Sequence, residues 1–160
     1  MDSALTEQLS QAMAKTLEDL TFLLAAPEAW EPAIFTGDEL GVGVAFGGHF
    51  TGDLVWVCPA SAAREMTANM LGLEDDEALA EPQINDALKE VLNIICGNIL
   101  PILAGSEAVF NLSAPQILDP GTDADFGRPA PPVAKIKLDL EGEPGYLFLF
   151  IDDPEVAEAL

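Results

Sequence analysis

Apolar residues recur at helical spacing near the start of the chain, at Leu5, Leu9, Met13, Leu17, Leu20 and Leu24, and predict a helix over 3–25 that stops at Ala-Ala-Pro27. From about Ala33 the period shortens to that of strands. Glu39–Phe46 alternates, Gly47-Gly48 turns, and Gly52–Cys58 is a short apolar strand, so a hairpin is expected. Pro59-Ala-Ser61 then opens a second helix, with Ser61 as its expected N-cap, running to Leu71-Gly72.

After the acidic linker Glu74-Asp75-Asp76-Glu77 the order repeats. A helix is predicted from about Pro82 to Leu103, then alternating segments near Ala134–Leu140 and Tyr146–Asp152, then a short helix after Pro154. Thr51–Val57 aligns with Pro144–Phe150, and Leu17-Glu18 on the first helix corresponds to Lys89-Glu90 on the third. The expected fold is therefore α+β and two-layered. Internally duplicated helix–hairpin–helix units, about 3–73 and 80–160, would form one domain over 1–160. Hairpin connections make the sheet mostly antiparallel, packed against long helices. Residues 119–132 are rich in Gly and Pro and are expected to form a flexible surface loop, with a partner-contacting lid as the alternative.

Composition narrows the chemistry. Half the chain is hydrophobic (49%), which suits a packed core, and no uninterrupted apolar run reaches the roughly 18 residues of a membrane span. The start of the chain lacks the basic and apolar stretches of a secretory signal, so a cytoplasmic protein is expected. Six Lys and Arg stand against 28 Asp and Glu, a formal charge of −22. Such a surface repels phosphate backbones and anionic lipid heads, which argues against nucleic-acid and membrane partners. Cys58 and Cys96 lie inside apolar segments as buried thiols. The single histidine, His49, sits beside Gly47-Gly48 as a turn residue, so neither a Ser/His/Asp triad nor a zinc site is on offer.

One stretch carries candidate chemistry. On the third helix Asp86, Glu90, Asn93 and Gly97 fall at about 0°, 40°, 340° and 20°, a single narrow stripe. Leu88, Val91, Leu92, Ile95 and Ile99 gather opposite. A polar stripe is ordinarily the wet face of an amphipathic helix. Asn93 and Gly97, however, are poor helix formers mid-helix, and glycine permits close backbone approach.

The spacing Asp86-x3-Glu90-x2-Asn93, followed after 21 residues by Pro115, resembles the signature of the CheX/CheC/FliY chemotaxis phosphatases. Gly52-Asp-Leu-Val-Trp-Val-Cys-Pro59, leading into an alanine-rich helix that ends Met70-Leu-Gly72, is similar to the same family. The resemblance spans roughly Leu17 to Asp152. It implies a phosphatase acting on the aspartyl phosphate of a CheY-like response regulator. Asn93 would position the attacking water and Glu90 would pair with a lysine of the regulator. Asp86 would orient the partner, Gly97 would allow close approach, and Pro115 would shape the adjoining loop. The chain would need no cofactor of its own, Mg2+ coming from the regulator's active site, and a homodimer is implied. In the first half Thr21 and Ala14 replace the motif's Asn and Asp beside Glu18, so one site per chain is expected. The alternative is a catalytically weak regulator-binding or flagellar-switch-type adaptor of the same fold.

Overall fold

A computed structural model describes residues 1–75, 78–121 and 126–160. Helix α1 (Ser3–Thr21) starts at Asp2, whose carboxylate accepts from the Leu5 N–H at 2.8 Å. It ends at Phe22, which turns the chain in the left-handed region. The helix is thus a turn shorter than its apolar period suggests, because residues 25–28 are drawn into strand β1 (Ala25–Glu28). Strands β2 (Glu39–Gly48) and β3 (Gly52–Pro59) form the expected hairpin and lead into α2 (Ala60–Leu71). Pro59, not Ser61, is the N-cap of α2; the Ser61 hydroxyl donates to the carboxylate of Glu143, far on in the chain.

Helix α3 (Glu81–Ala104) is followed by two short strands, β4 (Phe110–Leu112) and β5 (Gln116–Leu118). The hairpin β6 (Ala134–Leu140) and β7 (Glu143–Ile151) and helix α4 (Pro154–Ala159) complete the fold. Among the described residues, seven strands make one sheet in the order β1-β6-β7-β3-β2-β4, with β5 also on β2, and every pairing is antiparallel. Each hairpin is flanked by the edge strand of the other half: β1 pairs with β6, and β4 and β5 pair with β2.

The pleat explains how the sheet uses both faces. Leu54, Trp56 and Cys58 of β3 and Leu147, Leu149 and Ile151 of β7 point into the core beneath α1, α2 and α3. Val55, Val57, Phe148 and Phe150 point the other way and are covered by irregular chain, chiefly Trp30, Phe35 and Phe126. The described part of 119–132 is therefore anchored. The Phe126 ring packs 5.1 Å from that of Phe148, and the Arg128 guanidinium pairs with Asp53 and lies over Phe150. These contacts hold it on the sheet face away from α3, so the described part forms no lid over the helices; residues 122–125 lie outside the described chain.

Candidate functional site

Helix α3 is 24 residues, about 36 Å long, and is the one helix among the described residues long and apolar enough to cross a membrane. Its apolar side is spent on the core instead: Ile84, Leu88, Val91, Leu92, Ile95, Ile99 and Leu100 are all buried there. Gln83 caps its start by accepting from the Ala80 N–H at 2.8 Å. Fixing the apolar face in the core fixes what the opposite face presents. Asp86, Glu90, Asn93 and Gly97 are all exposed along one line, which runs about 16 Å at the rise of an α-helix.

Among the described residues the side chains of Asp86, Glu90 and Asn93 have no hydrogen-bond or ion-pair partner. Among the described residues a Cβ at Gly97 would meet nothing beyond its own helix turn within 4 Å, so the helix surface there is open. Pro115 is on a different element, the short link between β4 and β5 at the β2 edge of the sheet. The stripe thus brings together four of the five residues singled out in the sequence, and Pro115 stands on a separate element.

The first half of the chain offers a contrast in the same fold. The Glu18 carboxylate accepts from the Ala25 N–H at 3.1 Å and so anchors the entry to β1. Thr21 is fully buried; its hydroxyl donates to the Leu17 carbonyl at 2.6 Å, and its own carbonyl accepts from Asn69. Ala14 is in the core. These three are structural groups, whereas their counterparts on α3 are free.

The two thiols are equally internal. Burial pushes both Cys58 and Cys96 up to about 12, far from a reactive thiolate. Among the described residues no three His, Cys, Asp or Glu side chains converge to hold a metal. Sequence reasoning missed one feature beside the stripe, an open cleft of about 420 Å3 that includes Asp86 and Glu90 along with exposed apolar side chains from the ends of α1 and α2. Phe22 was its only signal, hidden within a helix expected to run past it.

An unpartnered acid–acid–amide line can bind cations and hold a water, and it offers no nucleophile stronger than a carboxylate. Residues 40–124, more than half of the chain, match the family model "Chemotaxis phosphatase CheX". No curated protein sequence matches the chain. Among solved structures, CheX from Vibrio vulnificus superposes with a TM-score of 0.70 at 16% identity, covering 94% of this chain and 97% of its own. A chain of the CheX–CheY–BeF3–Mg2+ complex from Borrelia burgdorferi gives 0.68 at 20% identity, covering 92% and 97%. FliY from Thermotoga maritima gives 0.63 at 18% identity, covering 99% and 94%. At these identities the structures establish the shared fold, and with the sequence match they place the chain in one family. The protein belongs to the CheX family of chemotaxis phosphatases.

Proposed function

We propose that this chain removes phosphate from the aspartyl phosphate of a CheY-like response regulator, using the exposed stripe of α3. The observation that carries the reading is that Glu90 and Asn93 stand free on the surface, while Glu18 and Thr21 at the matching place in the first half are consumed by the fold. An acyl phosphate is intrinsically labile and needs mainly a positioned water and balanced charge. Asn93, with one acceptor and two donors, holds a water in line with phosphorus. As the water oxygen bonds to phosphorus, the bond from phosphorus to the aspartyl oxygen breaks. The products are inorganic phosphate and the regulator's free carboxylate, and the water's proton passes to phosphate or solvent. Glu90 accepts from a lysine of the regulator in a charge-assisted pair that aligns the two proteins, and Asp86 orients the approach. Mg2+ is taken to belong to the regulator's side of the complex.

The occurrence of CheY together with CheX in the Borrelia complex supports a regulator as the partner. The edge strands β1 and β4 leave backbone groups open at the two ends of the sheet, which supports the expected homodimer.

Phosphate release from a phosphorylated CheY-like regulator tests the reading, with wild type and Asn93→Ala compared. Wild type should release phosphate well above the regulator's own decay. The substitution should cut that acceleration about 100-fold or more while leaving binding intact. An adaptor that merely docks would bind the regulator, leave its decay unchanged and be indifferent to Asn93→Ala.

A further inference from the structure

The cleft at the head of the stripe is built from three chain-distant pieces: Leu20 and Phe22 at the end of α1, Met70 and Leu71 at the end of α2, and Asp86 and Glu90 of α3. Two of its apolar members are conspicuously wet. Phe22 is 72% exposed and Leu71 51%, although both are large enough to repay burial strongly. Phe22 is also held at φ 59°, in the left-handed region that a bulky residue rarely occupies and that helix ends normally give to glycine. Among the described residues Phe22 packs into neither hydrophobic cluster, so no contact of its side chain there accounts for a benzyl group in that position. An aromatic ring that costs the fold conformational energy and remains in water is accounted for by a contact outside the chain.

Resting on the phosphatase reading above, we propose that this cleft is the anchor site for the regulator. It receives an apolar side chain flanked by a basic residue on the regulator's surface, with Phe22 and Leu71 determining affinity. Charge and position choose the occupant. The charged members of the cleft, Asp86 and Glu90, are both acidic and without a counter-ion among the described residues, and its other polar member, Gln83, is neutral with its side-chain oxygen held by the Ala80 N–H, so the complementary surface is apolar and cationic. The same two carboxylates begin the stripe that carries Asn93, so a protein seated over Asn93 also covers the cleft. Phe22 and Leu71 touch no reacting atom in this arrangement. They act on docking, and Asn93 acts on the chemical step.

The experiment measures phosphate release as a function of regulator concentration for the full chain. Wild type, Phe22→Ser, Leu71→Ser and Asn93→Ala are run together, with binding of each to the beryllofluoride-activated regulator and its thermal midpoint. Either serine substitution should raise KM and Kd about 10-fold with kcat unchanged, the loss of a central apolar anchor. Asn93→Ala should do the reverse, lowering kcat at constant Kd. A further variant, Phe22→Gly, should weaken binding equally while raising Tm, since glycine accepts the left-handed conformation freely; a merely structural Phe22 would give the opposite change in Tm. If wild type is active and both serine variants bind and turn over normally, the anchor site is wrong and the phosphatase reading stands. If the serine variants lose self-association and keep KM, the occupant is a second copy of the chain and the inference is overturned. If wild type neither binds nor dephosphorylates any regulator, both fall.

Discussion

Replacing Gly97 by alanine separates what the stripe does for the fold from what it does for a partner. Gly97 lies within α3, seven residues before its end, and is exposed, and among the described residues a Cβ there would meet no atom beyond its own helix turn within 4 Å. The methyl group therefore adds no clash and removes backbone freedom from the unfolded chain. Glycine costs about 0.8–1.0 kcal/mol relative to alanine in a helix interior. For a chain of this size that gain should raise Tm by about 2–4 °C, read by circular dichroism during thermal unfolding. The same methyl group should raise KM for the phosphorylated regulator if the partner's backbone closes on the helix at this position. A lower Tm would refute the reading of Gly97 as open space. A higher Tm with unchanged KM would show that the docked partner stops short of Gly97 and that the glycine has no functional reason to be there.

Two further expectations test the interior. Gly145→Ala would press a Cβ against the buried ring of Trp56, 2.9 Å from Cζ2, and 3.0 Å from Leu140 Cδ1. Overpacking of this kind should cost about 1–3 kcal/mol, seen as a lower urea midpoint with an unchanged slope. The thiols should be silent in the native state: with Cys58 and Cys96 pushed up to about 12 by burial, neither should react with a disulfide reagent at neutral pH unless the chain is unfolded. The linked effect on stability has a definite sign. Above about pH 9 an unfolded thiol ionises while the buried one holds its proton, so the unfolded state binds fewer protons and stability falls as pH rises toward 12. The slope is at most about 1.4 kcal/mol per pH unit for each thiol. Cys58→Ala and Cys96→Ala should each flatten that decline in alkaline urea titrations.

The parts of this fold legible in the sequence were those whose own side chains are buried in a periodic or unbroken run. Helix α3 has an apolar face broad enough to fill a core, β2 and β6 alternate along most of their length, and β3 and β7 are short continuous apolar runs buried on both faces. The edge strands were not legible. β1, β4 and β5 are three or four residues each, mostly exposed, and one contains Pro27, so pairing with a neighbour defines them and their own side chains do not. Missing β1 also displaced the end of α1 and concealed the turn at Phe22. Ser61 carried an N-cap residue type at a helix start, but a tertiary partner, Glu143, took its hydroxyl. The loop over 119–132 looked free because Gly and Pro dominate it. Phe126 and Arg128 anchor it through contacts whose other halves, Phe148 and Asp53, are far off in the chain. The same reasoning covers the site. The stripe was readable because four of its residues share one helix, whereas the cleft could not be seen before three helix ends were brought together.

Helix length explains why matching residues in two similar halves are left in different states, consumed on α1 and free on α3. Glu18 lies three residues before the end of α1, whereas Glu90 lies 14 residues before the end of α3. On α1 the chain leaves the helix almost at once to become β1, and the first free N–H of that strand reaches back to the Glu18 carboxylate. Thr21 is carried into the interior by the same turn and spends its hydroxyl on the helix's own last turn. On α3 the helix continues, so positions 90, 93 and 97 remain on one solvated face, with the Glu90 and Asn93 side chains unspent. The proposal of a single site per chain rests on this asymmetry, because a water-positioning group must be both exposed and free of internal partners, and only the longer helix satisfies both conditions.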